Sequence, residues 1–205
     1  MNETQLNSNA SVMVMACTNL GLNSDDNPKP FTLKEWNNIA PKIRQSPFKV
    51  PGALLGVSTE EIQKDAGLTP EESERMTALL VRIDTVNKET EKFARAGIRL
   101  ITRADSIYPG NLKEKLKFHS PPVIFYAGDL SLAKKEGIAI VGSRAVDEAG
   151  SEFTAKLAML CPENNFNIVS GGAKGVDIIS MKTALENNGT CIGVVSDSLA
   201  KKLRE

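Results

Sequence analysis

Two short polar segments, each following an apolar run, hold the residues of this chain best suited to chemistry. The first is Val141-Gly142-Ser143-Arg144 after Ile138-Ala139-Ile140, and the second is Ser170-Gly171-Gly172-Ala173-Lys174-Gly175-Val176-Asp177 after Ile168-Val169. Glycine lets the main chain approach a ligand closely, and Arg144 and Lys174 each supply a full positive charge. An apolar run ended by glycine and followed by helix-forming residues reads as a buried parallel strand turning into a helix. The first N–H groups of such a helix lack intrahelical partners, and its dipole adds partial positive charge. The pattern predicts a phosphate-binding cleft contacted by Gly142, Ser143, Arg144, Ser170, Gly171, Gly172, Ala173, Lys174 and Gly175.

Each residue also has a plainer reading. Arg144 could pair with Asp147 or Glu148 on the surface, where ion pairs contribute little. Lys174 could simply be solvated. Ser143 and Ser170 could cap the following helix as well as meet a phosphate oxygen. Gly171, Gly172 and Gly175 could serve positive φ, close phosphate approach or tight packing of strand on helix. Asp177 is acidic, and its expected role is to bond loop N–H groups and support the turn.

These segments must be positioned by a regular alternation of elements. A strand over 138–142, a helix over 147–161, a strand over 166–170, a helix over 175–188 and a strand over 190–195 form a strand-helix-strand-helix-strand unit. Such crossovers are right-handed and build a parallel sheet whose ligands sit outside the carboxyl ends of the strands. Both polar segments fall at that edge. Three strands are few for such a sheet, so either the runs 98–101 and 123–126 join it or the chain is part of something longer. The second alternative is the expectation.

Residues 1–97 read as helical. Thr32 with Glu35, Ser58 with Glu61 and Thr69 with Glu72 have capping-box spacing, and Pro70 suits a first helical position. From Pro70 the apolar positions Met76, Leu79, Leu80, Ile83 and Val86 recur at three and four, which predicts one long helix running to Gly97. Val12 to Cys17 is too short to span a bilayer and lacks a preceding basic residue, so it reads as a core-facing helix. The expected organisation is a helical N-terminal domain over 1–97, a linker over 102–122 and an α/β domain over 98–205 with an incomplete sheet.

Composition excludes several classes. Lys plus Arg equals Asp plus Glu at 25 each, so the chain as a whole is not drawn to polyanions and any such site must be local. The three cysteines are widely spaced with no Cys-x-x-Cys pair, which argues against a disulfide framework or zinc site and suits the cytoplasm. His119 is the only histidine and has no metal-ligand partner nearby. Lys113, Lys115 and Lys117 beside Phe118, and Lys201, Lys202 and Arg204 near the end, read by default as solvated faces. There is no Gly-x-Gly-x-x-Gly turn after a strand and no Gly-x-x-x-x-Gly-Lys-Ser/Thr loop, so dinucleotides and nucleoside triphosphates lack their usual cradles.

Taken together, Val141 to Arg144 and Ser170 to Asp177 resemble the paired turns of the DNA-processing protein A family, also called Smf. Tyr108-Pro109, Pro121-Pro122 and Phe125-Tyr126-Ala127-Gly128 extend the likeness. The resemblance implies a Rossmann-like domain behind a small helical domain, without catalysis or cofactor. It further implies binding of single-stranded DNA and its transfer to RecA recombinase in natural transformation, and it admits a homodimer. Departures from the family pattern are Ala145-Val146-Asp147-Glu148-Ala149 after the arginine, Met181 near a common histidine, and Ser196-Asp197-Ser198-Leu199 at the last strand end. The competing expectation is a Rossmann-like nucleotide sensor or hydrolase, whose Pro-Gly-Gly-x-Gly-Thr turn this chain lacks. A third is a protein-interaction module worked by the helical part.

Overall fold

The computed structural model describes residues 6–203 apart from 24, 26 and 197. Side-chain caps set the helix starts of its N-terminal part. Helix α1, Ser8–Cys17, begins where the Asn7 side chain accepts from the Ala10 N–H, and every residue from Ala10 to Ala16 is buried. Helices α2 (Leu33–Gln45), α3 (Thr59–Ala66) and α4 (Pro70–Leu80) each start on a reciprocal capping box, formed by Thr32 and Glu35, Ser58 and Glu61, and Thr69 and Glu72. Trp36, Ile39 and Ile43 of α2, Ile62 of α3 and Met76 and Leu79 of α4 close around α1 in one core. A helix surrounded in this way carries apolar residues on all sides.

The single long helix expected over 70–97 is instead two, because α4 stops at Leu80 and α5 runs Ile83–Arg95. Arg82 turns inward at the break. Its guanidinium donates to the carbonyls of Leu79 at 3.1 Å and Leu20 at 2.9 Å, and also to that of Met15. Those carbonyls lie at or beyond helix ends, where intrahelical donors run out. The apolar periodicity survives the break because both helices bury the same phase, Met76 and Leu79 before it and Val86 after it. Gly97, at φ 76°, follows the end of α5.

A second arginine, Arg75, ties α4 to the segment before α2. It donates to the carbonyls of Lys29 and Pro30 and to Glu35, each at 2.7 Å, and lies 4.3 Å from the centre of the Phe31 ring. The Arg75 hydrogen bond, helped by the Thr32 N–H, lowers the Glu35 carboxyl from an ordinary 4.5 to about 2.

Strands β1 (Ile98–Thr102) and β2 (Val123–Ala127) pair with each other and do not join the later sheet. The expected linker between them is folded: it contains α6 (Gly110–Leu116) and a 3₁₀ helix, Lys117–His119. Tyr108 is buried there with its hydroxyl donating to the Pro121 carbonyl at 2.9 Å. The compact units divide after Tyr126, not at Gly97 where the sequence changes character. Leu100 and Val123 pack against the helical core, which is why this stretch belongs with the helices.

The second unit alternates β3 (Gly137–Ala139), α7 (Glu148–Glu163), β4 (Asn167–Ser170), α8 (Val176–Glu186), β5 (Cys191–Gly193) and α9 (Leu199–Lys202). Its sheet is parallel in the order β3-β4-β5, with Ile138 opposite Ile168 and Ile168 opposite Cys191. Both crossovers step the same way along the sheet, so right-handed connections put α7 and α8 on one face. Ala158 and Ala184 from those helices meet Ile140 and Ile168 in a small core, their short side chains allowing close approach. This is a Rossmann-like α/β arrangement. Among the described residues, no helix is long and apolar enough to cross a membrane.

The Arg82 and Glu35 contacts of the helical unit can be tested by stability. Arg82→Ala should destabilise that unit by about 3 kcal/mol, because three carbonyls lose a charged donor; urea unfolding followed by the fluorescence of buried Trp36 reads it. The lowered Glu35 carboxyl contributes stability above its unfolded value of 4.5, lost as pH falls towards about 2. The Glu35 side chain is 41% exposed, so screening keeps the effect below about 1 kcal/mol. Glu35→Gln should flatten the acid limb of the same unfolding measurement over that window.

Candidate functional site

The carboxyl ends of β3, β4 and β5 are held side by side by hydrogen bonds that continue beyond the strands themselves. Ile140 N–H donates to the Val169 carbonyl at 3.0 Å and Val194 N–H to that of Ser170 at 2.8 Å. The buried Ser170 hydroxyl donates to the Ile140 carbonyl at 2.6 Å, so it joins two strand ends. The chain then leaves β3 and β4 in two turns that lock into each other.

The lock depends on residues with little or no side chain. Gly175 has φ 88°, and a Cβ there would stand 2.2 Å from the Ser143 carbonyl oxygen and 2.9 Å from Arg144 Cα. A Cβ on Gly142 would meet Val176 Cγ2 at 2.8 Å. Across this contact Val176 N–H donates to the Ser143 carbonyl at 3.2 Å. Beneath both turns lies the buried carboxylate of Asp177. One of its oxygens accepts from Gly142 N–H at 3.4 Å, the other from Gly171 N–H at 3.1 Å and Ala173 N–H at 3.3 Å.

The helix starts are partly closed by the protein's own acceptors. Asp147 caps α7 with its own carboxylate, accepting from Gly150 N–H at 2.8 Å. At α8, Val176 N–H is taken by Ser143, and Ile178 N–H by the Ala173 carbonyl at 3.2 Å. In the loop, the N–H groups of Gly172 and Lys174 have no partner among the described residues.

Those amides border an open cleft of about 210 Å³ lined by Arg144, Gly171, Gly172, Ala173, Lys174, Val195, Ser196 and Lys202. Three cations and no carboxylate line it among the described residues. Arg144 and Lys174 are exposed and form no ion pair with any described residue, Asp147 and Glu148 included. Of the residues singled out from the sequence, Arg144 and Gly171 to Lys174 line the cleft. Gly142, Ser143, Ser170, Gly175 and Asp177 build the turns around it, and the Ser143 hydroxyl oxygen accepts from Ala145 N–H at 3.1 Å.

Lys202, Ser196 and Val195 lie outside the sequence-derived set. Lys202 reads from the sequence as a solvated cation. The signal for it was the end of β5, which must open onto the same sheet edge as β3 and β4. Arg204 lies outside the described residues.

A site of this form, on this topology, can be compared with known proteins. Residues 99–203 match the family model for DNA recombination-mediator protein A. The chain belongs to that family. Within the DNA recombination-mediator family, the DNA processing protein DprA of Streptococcus pneumoniae is 37% identical over 114 residues, which are 56% of this chain and 38% of that protein. The DNA processing protein DprA of Bacillus subtilis is 31% identical over 169 residues, 82% of this chain and 52% of that protein. The chain thus spans between about a third and half of the length of these relatives. The X-ray structure of the Streptococcus pneumoniae protein shares the fold with a TM-score of 0.58 at 24% identity, covering 90% of this chain and 55% of that one.

The packing of the two turns gives a graded expectation. Gly175→Ala should destabilise the second unit by about 3 kcal/mol or more, since a Cβ would collide with backbone at an unfavourable φ. Gly172→Ala should cost only about 1 kcal/mol, because φ is 69° but the nearest atom is Val195 Cγ1 at 3.8 Å. Amide exchange across 170–177 would report the loosening; equal effects of the two variants would contradict the lock.

Proposed function

We propose that the chain binds single-stranded DNA along the carboxyl edge of the β3-β4-β5 sheet, with phosphates seated in the cleft formed by Arg144, Lys174, Lys202 and the loop amides. The observation that carries this reading is the coincidence, in one cleft of a chain with zero net charge, of three cations and loop N–H groups that have no partner among the described residues. Cations and amides together are the chemistry of a phosphate. The cleft's size argues for backbone binding over enclosure of a nucleotide. Small-molecule sites occupy roughly 300–1,000 Å³, whereas this one has about 210 Å³, enough for a phosphate while the bases remain outside. Base identity then matters little, as in other single-strand binders.

The same reading makes the protein a mediator: the cleft lining supplies cations, amides and the Ser196 hydroxyl, groups that bind a phosphate. Membership of the DNA recombination-mediator family supports a role in protecting incoming single strands and passing them to RecA, in the cytoplasm. RecA is the partner that the family resemblance implies.

Fluorescence anisotropy with labelled oligonucleotides tests the reading. Arg144→Ala and Lys174→Ala should each weaken single-strand binding by about 1–3 kcal/mol and lower the salt slope by about one phosphate's worth, leaving stability nearly unchanged. Duplex should bind less tightly than single strand. Equal or tighter duplex binding, or no single-strand binding at low salt, would reject the proposal.

A further inference from the structure

A second feature, within the first unit, has the chemistry of a nucleobase platform. Phe118 is 78% exposed, the most exposed of the large hydrophobic side chains among the described residues. A lone exposed phenylalanine is ordinary. This one differs in how firmly its backbone is held. Its carbonyl accepts from the Asn37 side-chain amide of α2 at 2.7 Å, and that same side chain accepts from Arg103 at 2.9 Å. The residue two positions on is fixed too: Ser120 is fully buried, its N–H donating to the Lys117 carbonyl at 3.2 Å.

Just before the ring, Lys117 has φ 49° and ψ −114°, a backbone region that glycine favours and a lysine enters at a cost. The tertiary bonds on either side hold that turn in place. The result is an aromatic ring projected into solvent from a pinned backbone, a preorganised surface and not a floppy side chain. Near it in the sequence are Lys113, Lys115 and Lys117, all exposed and without an ion pair among the described residues, with Glu114 the only carboxylate in the segment 110–119. No residue of α6 or of the 3₁₀ helix is buried, so this segment does not face the core.

A segment that exposes a π-face together with three cations complements a ligand that alternates flat bases with phosphates. We infer that Phe118 stacks on a base of single-stranded DNA while Lys113, Lys115 and Lys117 neutralise the adjoining phosphates, a contact separate from the cleft of the second unit. This contact presupposes the single-strand reading proposed for that cleft. Stacking on an aromatic ring tolerates any base, consistent with binding that is indifferent to sequence.

Phe118→Trp turns the ring into a reporter. The one native tryptophan, Trp36, is 1% exposed and supplies a constant background. The full chain carrying Phe118→Trp would be titrated with a thymidine 20-mer and with an abasic 20-mer of equal charge, following tryptophan emission and anisotropy of the labelled strand together. Quenching of the introduced indole by the thymidine strand, at the midpoint seen by anisotropy and absent with the abasic strand, is the expected result. Phe118→Ala should then weaken binding about five- to a hundredfold, the range for loss of one stacked base. Binding by anisotropy with unchanged emission from the introduced indole overturns the stacking contact and leaves the proposed function standing. Equal quenching by the abasic strand also overturns it, since charge alone would suffice. Absence of binding to either strand rejects both.

Discussion

The carboxylate of Asp177 is the point on which the second unit turns. It is buried, and it accepts N–H groups from both polar turns, Gly142 on one side and Gly171 and Ala173 on the other. A buried charge is tolerated only when donors surround it, and here the donors come from two strand ends that would otherwise be independent. The arrangement sorts the amides of the loops into two sets. Those of Gly142, Gly171 and Ala173 point at Asp177 and hold shape; those of Gly172 and Lys174 have no partner among the described residues and border the cleft. Loop geometry and the pairing of the loop amides are thus tied to the same residue, an acidic one beside a cleft lined by cations.

Charge in this protein is organised locally. With equal numbers of acidic and basic side chains, no long-range field favours a polyanion. In the helical unit arginines are engaged with the protein itself, Arg75 with Glu35 and two carbonyls and Arg82 with three carbonyls among them. Carboxylates there sit on capping boxes and beside lysines, as Glu72 does with Thr69 and Lys42. At the cleft of the second unit, Arg144, Lys174 and Lys202 share a lining that holds no described carboxylate.

The sheet that carries the cleft is narrow and covered by helices on one face. Ile140 and Ile168 face α7 and α8, while Val141 and Val194 stay 72% and 67% exposed. Side chains alternate across a strand, so a three-stranded sheet with both helices on one face leaves such residues uncovered. The cleft does not depend on that other face, because it is formed at the strand ends and not on the sheet surface.

Much of this was legible in the residues themselves. Capping boxes are local: Thr32, Ser58 and Thr69 each need only a glutamate three positions on, and all three helices begin there. The strand-helix alternation after 137 and the edge at which the turns lie follow from short apolar runs and the handedness of crossovers. Other features were decided only by distant contacts. The break between α4 and α5 does not interrupt the apolar period, and it exists because Arg82 reaches carbonyls of α1 and the segment after it, over sixty positions earlier. The stretch 102–122 reads as a linker because Pro and Gly punctuate it, yet Tyr108 and Pro121 close it into the helical unit. The direction of the loop amides, inward to Asp177 or outward to the cleft, and the arrival of Lys202 at the same edge, likewise required the chain to fold. Sequence spacing dictates which groups are near one another along the chain, whereas a hydrogen bond between positions far apart is set only when packing brings donor and acceptor within about 3 Å.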